Sequence, residues 1–107
     1  MIAAALLLAA AAAPYRALGT EPFWALTVTR GVARLEEPGR KPASIRVRAR
    51  RSRNGSQRWI GRGVQVNAVR ARCSDGMSDR SYRDRVTIRW RGRLLRGCGS
   101  RDGGAQP

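Results

Sequence analysis

The chain has no histidine, one lysine (Lys41), one phenylalanine (Phe23), two cysteines and seven carboxylates in 107 residues. Each shortage excludes something. Without an imidazole there is no Ser-His-Asp or Cys-His machinery. A histidine-containing metal site is excluded too, and two cysteines cannot build a four-cysteine zinc centre. Lys41, the one amine available for Schiff-base or Ser-Lys chemistry, lies in a loop between Pro38 and Pro42, where nothing is expected to activate it. No cofactor or metal is called for. At this length the chain makes one domain, with a modest core that gains from covalent staples.

The N-terminal run, residues 1–13, is wholly apolar. As a helix it would rise only about 20 Å, short of a ~30 Å hydrocarbon core. An apolar run of this length ending in small residues before Pro14 has the form of a secretory signal peptide, with Ala9 to Ala11 or Ala10 to Ala12 as the peptidase site. No basic residue precedes the run, so a truncated signal or a misassigned start is expected; the alternative is a short helix of the folded domain. The expected organisation is a signal at 1–13, one β domain at 14–99 and a disordered Gly-rich tail at 100–107, exported to the periplasm or envelope. With no cysteine near residues 10–20, no lipid anchor is expected. Cys73 and Cys98 agree with export, since an even count in a small secreted chain points to a bridge. Closing a loop of that size is worth roughly 3–4 kcal/mol on chain-entropy grounds. The alternatives are two buried thiols or a reactive pair, although the spacing is not that of a CxxC motif.

What the chain has in excess is arginine. The 22 basic residues include 21 arginines, and the net charge is +15. Abundant Ala, Gly and Arg with scarce Lys, Asn, Ile and Phe match a GC-rich coding bias, which accounts for part of the excess but not for the shortage of carboxylates. A surface of this charge attracts polyanions in a salt-dependent way. For an exported chain those are anionic wall polymers or lipid headgroups rather than a specific nucleic acid. Arg46, Arg48 and Arg50 alternate along one predicted strand and share its outward face, as a candidate anion-binding stripe or simply a solvated one.

Period-two patterning predicts about seven short strands from Phe23 onward. They are Phe23–Arg30, Val32–Leu35, Ser44–Arg50, Gln57–Ile60, Val64–Cys73, Arg85–Arg91 and Arg93–Cys98. Trp24, Leu26 and Val28, then Ile45, Val47 and Ala49, then Val86, Ile88 and Trp90 are predicted to face inward. Asn54-Gly55 is a hairpin signal. The phase slip in Val64–Cys73 predicts a bulge near Ala68 that turns Val69, Ala71 and Cys73 inward. Ser74–Arg83 is expected to be a polar loop with at most a helical turn. The class is all-β, a small antiparallel meander barrel or sandwich, with the Phe23 and Arg93 strands as neighbours at its closure.

Two motifs stand out: Gly19-Thr20-Glu21-Pro22-Phe23-Trp24, and Cys73-Ser74-Asp75-Gly76-Met77-Ser78-Asp79 followed by Tyr82 and by Gly97-Cys98. Together they resemble a family of uncharacterised bacterial exported proteins, many of them lipoproteins, some joined to domains similar to inhibitors of C-type lysozyme. The resemblance spans residues 17–99 and implies an envelope location, a Cys73–Cys98 bridge and no enzymatic activity. The chain departs from the family pattern at Arg83 (proline), at Gly99 (alanine) and in lacking the anchor cysteine.

Functionally, Glu21 could serve as a general acid with Asp75 or Asp79 as the second carboxylate, and Trp24 as a sugar platform. Against this, Thr20 and Pro22 are expected to set a turn, Glu21 to accept hydrogen bonds, and Phe23 and Trp24 to fill the barrel end. Asp75 and Asp79 fall short of a calcium site. An Asx turn with Gly76 at positive φ, Asp79 paired to Arg80 or Arg83, and Met77 as a lid on the core are expected instead. The leading expectation is a non-catalytic envelope domain. A lysozyme-inhibitor-like protein is the alternative, although two cationic proteins repel. Were the chain not exported, a nucleic-acid-binding barrel would be the alternative, with Trp59 and Trp90 stacking on bases.

Overall fold

The structure is a computed structural model that describes residues 13–76 and 80–101. Eight strands form a closed antiparallel meander: β1 (Tyr15–Thr20), β2 (Phe23–Thr29), β3 (Val32–Glu36), β4 (Ala43–Arg51), β5 (Gln57–Gly61), β6 (Val64–Ser74), β7 (Ser81–Trp90) and β8 (Arg93–Ser100). Each strand pairs with its sequence neighbour, and β1 pairs with β8 to close the barrel. Closure leaves no free edge to recruit another chain. The predicted signal segment lies outside the described residues, apart from Ala13.

Turn chemistry sets much of the register. Arg30-Gly31 and Arg91-Gly92 are two-residue turns with positive φ at both positions, the geometry whose twist suits a hairpin. In the Asn54-Gly55 hairpin the Asn54 carboxamide oxygen accepts from the Ser56 amide and the Ser52 hydroxyl, while Gly55 takes φ +89°.

Alternating apolar residues fill the interior. Trp24, Leu26, Val28, Leu35, Val47, Trp59, Val66, Val86, Ile88, Trp90 and Leu95 form one buried cluster with Tyr15 and small alanines. Outward positions on the same strands carry arginine and other polar groups, among them Arg16, Arg34, Arg46, Arg58, Arg89 and Arg96. This is the reverse of a membrane-spanning barrel, whose outer band is apolar.

Four sequence expectations need correction. An eighth strand, β1, stands between β2 and β8, so the Phe23 and Arg93 strands are not neighbours. Its sequence, Tyr15 to Thr20, is short and carries an interior glycine, which hid it. Ala49 is exposed because β4 runs on past the packed interior, paired only with β5. The bulge lies between Arg70 and Cys73 rather than near Ala68, so Val69 faces out at 49% exposure. Finally, β6 continues to Ser74, β7 starts at Ser81, and β8 runs on through Gly99 to Ser100, which is buried. The predicted polar loop and the start of the predicted tail are therefore partly strand. Residues 102–107 lie outside the described residues.

Candidate functional site

Gly19 and Gly97 face inward on β1 and β8 and flank the Trp24 indole. A Cβ at Gly97 would overlap the Leu18 carbonyl oxygen and lie 2.8 Å from the Trp24 ring; one at Gly19 would strike the indole itself. These glycines make the slot that seats Trp24 at 3% exposure, with its indole N–H unpaired among the described residues. Buried there, Trp24 cannot stack on a sugar. Phe23 points the other way and is 54% exposed, so it does not fill the barrel end.

Alternation from inward Leu95 and Gly97 places Cys98 on the outer face of β8. It is bonded to Cys73 with 5.5 Å between Cα atoms. The two strands are separated by β7, about 10 Å for two strand spacings. The bridge therefore requires the end of the β6–β7 hairpin to bend back over β8. The extra residue between Arg70 and Cys73 supplies that bend. Bending brings the two sequence motifs together. Thr20 donates from its hydroxyl to the Asp75 carbonyl oxygen at 3.3 Å, and the Gly76 amide donates to the Ser74 hydroxyl oxygen at 3.1 Å. The Ser74 side chain thus supplies one acceptor within the turn, with Gly76 at φ +77° as expected. Met77, Ser78 and Asp79 lie outside the described residues. Tyr82 sits opposite Cys73 on β7.

The result is a cavity of about 340 Å³ lined by both motifs and by Gly97-Cys98. Glu21 and Asp75 share it with Arg85 and Arg96. Both carboxylates are therefore opposed by guanidinium charge within the same hollow. Glu21 itself is exposed.

A larger feature lies beside it, on the outer face of β4–β8. The registers align a row straight across the sheet: Arg50 opposite Arg58, Arg58 opposite Asn67, Asn67 opposite Thr87, and Thr87 opposite Arg96. A second row runs Arg48, Ile60, Gln65, Arg89 and Leu94. With the β4–β5 turn at one side, the first row and the Gln65, Arg89 and Leu94 part of the second form a trough of about 780 Å³. Arg50, Arg51, Arg58, Arg89 and Arg96 line it, and no carboxylate among the described residues does. Gln65 donates to the Asn67 carboxamide oxygen at 3.3 Å along its floor. Like charges directly across a sheet repel, so Arg50 opposite Arg58 costs stability unless an anion sits between them. The trough and the motif cavity share Thr87 and Arg96.

The carboxylates are used elsewhere. Glu37 accepts from both terminal nitrogens of Arg93 at 2.8 Å, with Arg40 at 3.9 Å, and the Arg93 hydrogen bonds hold its carboxyl below the ordinary range. Glu36 pairs with Arg34 at 3.4 Å. Among the described residues no group of three Cys, Asp or Glu is placed to hold a metal ion.

Of the predicted stripe, Arg46, Arg48 and Arg50 all face outward and are exposed, but only Arg50 lines the trough. The cationic groove runs across strands, not along β4. Arg58, Arg89 and Arg96 were each legible as outward by alternation; their alignment was not. Trp59 and Trp90 are buried at 4% and 3%, so neither offers a face to a base. Comparison with family models, curated proteins and solved structures found no match for the chain.

Proposed function

We propose that this chain is a non-catalytic, exported envelope domain, akin to the exported family its motifs resemble, that holds an anionic envelope polymer in the arginine trough. The observation that carries this reading is the row Arg50–Arg58–Asn67–Thr87–Arg96 across five strands, cationic at both ends with hydrogen-bonding side chains between. A concave, elongated groove favours a chain-like anion over a flat lipid surface. The disulfide is compatible with an oxidising compartment.

The test is equilibrium binding of poly(glycerol phosphate) and of phosphatidylglycerol vesicles across a salt series. Parent protein is expected to bind the polymer more tightly than the vesicles. Removing two phosphate contacts with Arg58→Ser and Arg89→Ser should lower the log–log salt slope by about 1.4, at roughly 0.7 per contact for a single strand. Arg46→Ser with Arg48→Ser removes the same charge outside the trough and should change the slope less. Equal loss in the two double variants would defeat the trough reading. Shortening of the polymer by the parent, abolished by Glu21→Gln, would replace binding with catalysis at the motif cavity.

A further inference from the structure

The open end of the barrel near the start of β1 carries a second collection of arginines. Tyr15 lies on its floor, its ring 4.7 Å from that of buried Trp59. The phenol donates to Asp84 Oδ2 at 2.7 Å. Burial and this hydrogen bond push its ionisation far above the ordinary range. Over the Tyr15 ring, 5.9 Å from its centroid, sits the guanidinium of Arg101, fixed by donation to Gln57 Oε1 at 2.7 Å and to the Ala13 carbonyl at 3.3 Å. Arg51, Arg70 and Arg83 complete the rim from β4, β6 and β7, enclosing about 440 Å³.

Four guanidiniums thus converge on a hollow whose lining holds one carboxylate, and that carboxylate already accepts the hydrogen bond from the Tyr15 hydroxyl. Among the described residues none of the four forms an ion pair. Arg101 is held by neutral acceptors, so its charge remains available to a ligand. Bringing these cations together from three strands and the chain's last described residue is unfavourable unless something anionic enters. The hollow falls within the size range of small-molecule sites and is several times larger than a bare oxyanion. Planar guanidiniums present paired N–H donors that match phosphate oxygens.

We infer that the barrel mouth is a binding site for a dianionic phosphate group, carried on a small polar molecule or free in solution, separate from the polymer trough. Arg70 and Arg83 flank the phosphate and Arg101 approaches from above the Tyr15 ring. The trough and the mouth share Arg51 and Gln57, but Arg70, Arg83 and Arg101 belong to the mouth alone.

The experiment is calorimetric titration of the full chain, in chloride buffer of fixed ionic strength, with glucose 6-phosphate, inorganic phosphate and glucose. Intrinsic fluorescence is followed in parallel, because the Tyr15–Trp59 pair lies beneath the cavity. Saturable binding of a phosphate compound but not of glucose is expected, with about tenfold or greater loss in Arg70→Ser with Arg83→Ser, from removal of two charge-assisted contacts. Arg58→Ser with Arg89→Ser should keep the phosphate affinity within about twofold while losing the polymer. Tighter binding of the sugar phosphate identifies an organic ester; equal binding identifies the free anion. If the double variant does not fold, Arg83→Gln alone should still weaken binding severalfold. No saturation by either phosphate compound, or equal weakening in the mouth and trough variants, overturns the site. Retained polymer binding in the mouth variant would show that the trough stands regardless.

Discussion

Breaking the Cys73–Cys98 bridge should remove a large part of the stability of this barrel. The two sulfurs close a loop with a sequence separation of 25 residues. In the unfolded chain that closure lowers the entropy by about 12 cal/mol/K, or about 3.5 kcal/mol at room temperature. Small domains have only about 5–15 kcal/mol in all. The bridge does not belong to the main core cluster. Reduction should therefore leave the packed interior in place and act mainly through the unfolded state. The assay is urea unfolding of oxidised and reduced protein, followed by the fluorescence of the three buried tryptophans. With a urea slope of about 1–3 kcal/mol/M, the midpoint should fall by between about 1 and 3.5 M on reduction. The thermal midpoint should drop by roughly 14–28 °C. Using reductant rather than alanine keeps both buried side chains and isolates the cross-link. A reduced protein with an unchanged midpoint would refute the reasoning, because it would mean that the denatured chain gains no freedom when the sulfurs part.

Gly97→Ala should destabilise by about 2 kcal/mol or more in urea unfolding, since its Cβ meets the Leu18 backbone and the Trp24 ring. Gly92→Ala has open space around it and should cost only about 1 kcal/mol, from its φ of +88°. The Glu37–Arg93 pair sets a pH dependence. The folded carboxyl titrates below 4.5, so the pair's stabilisation is fully present above that value and is lost as pH falls through the folded pKa. The gap in unfolding free energy between parent and Glu37→Gln, about 1 kcal/mol or less for a part-exposed pair, should be constant near neutrality and close as the pH falls through the folded pKa.

Much of the fold was legible because a sheet repeats every two residues. Trp24, Leu26 and Val28, like Val86, Ile88 and Trp90, face inward as their spacing requires. The Asn54-Gly55 hairpin also appears where its chemistry places it. Patterning failed where tertiary context decides. β1 has three buried residues, Tyr15, Ala17 and Gly19, and the missing side chain of Gly19 is read as a turn but is space reserved for Trp24. The position of the bulge was equally hidden. A phase slip says that one extra residue exists between Ala68 and Cys73, not which one. It is the need to carry Cys73 back over β8 to Cys98 that puts it beyond Arg70.

The candidate sites separate the same two kinds of information. Outwardness is a property of one strand, and Arg50, Arg58, Arg89 and Arg96 could each be assigned to the solvent side from sequence, whereas Arg51, in phase with inward Val47, could not. Alignment is a property of five strands. Arg50, Arg58, Asn67, Thr87 and Arg96 span 47 positions, and only the registers of four hairpins set them in one row. A change of one residue in any of those registers would flip a strand's polar face inward and expose its apolar face, so the core enforces the row. The groove's charge pattern is in this sense a by-product of packing the interior correctly, and its arginines can vary without disturbing the fold. It follows that serine substitutions at Arg58 and Arg89 should leave the urea midpoint unchanged or slightly raised, through relief of cross-strand repulsion, while the affinity for poly(glycerol phosphate) falls. Loss of stability in step with loss of binding would instead make these guanidiniums part of what holds the barrel together.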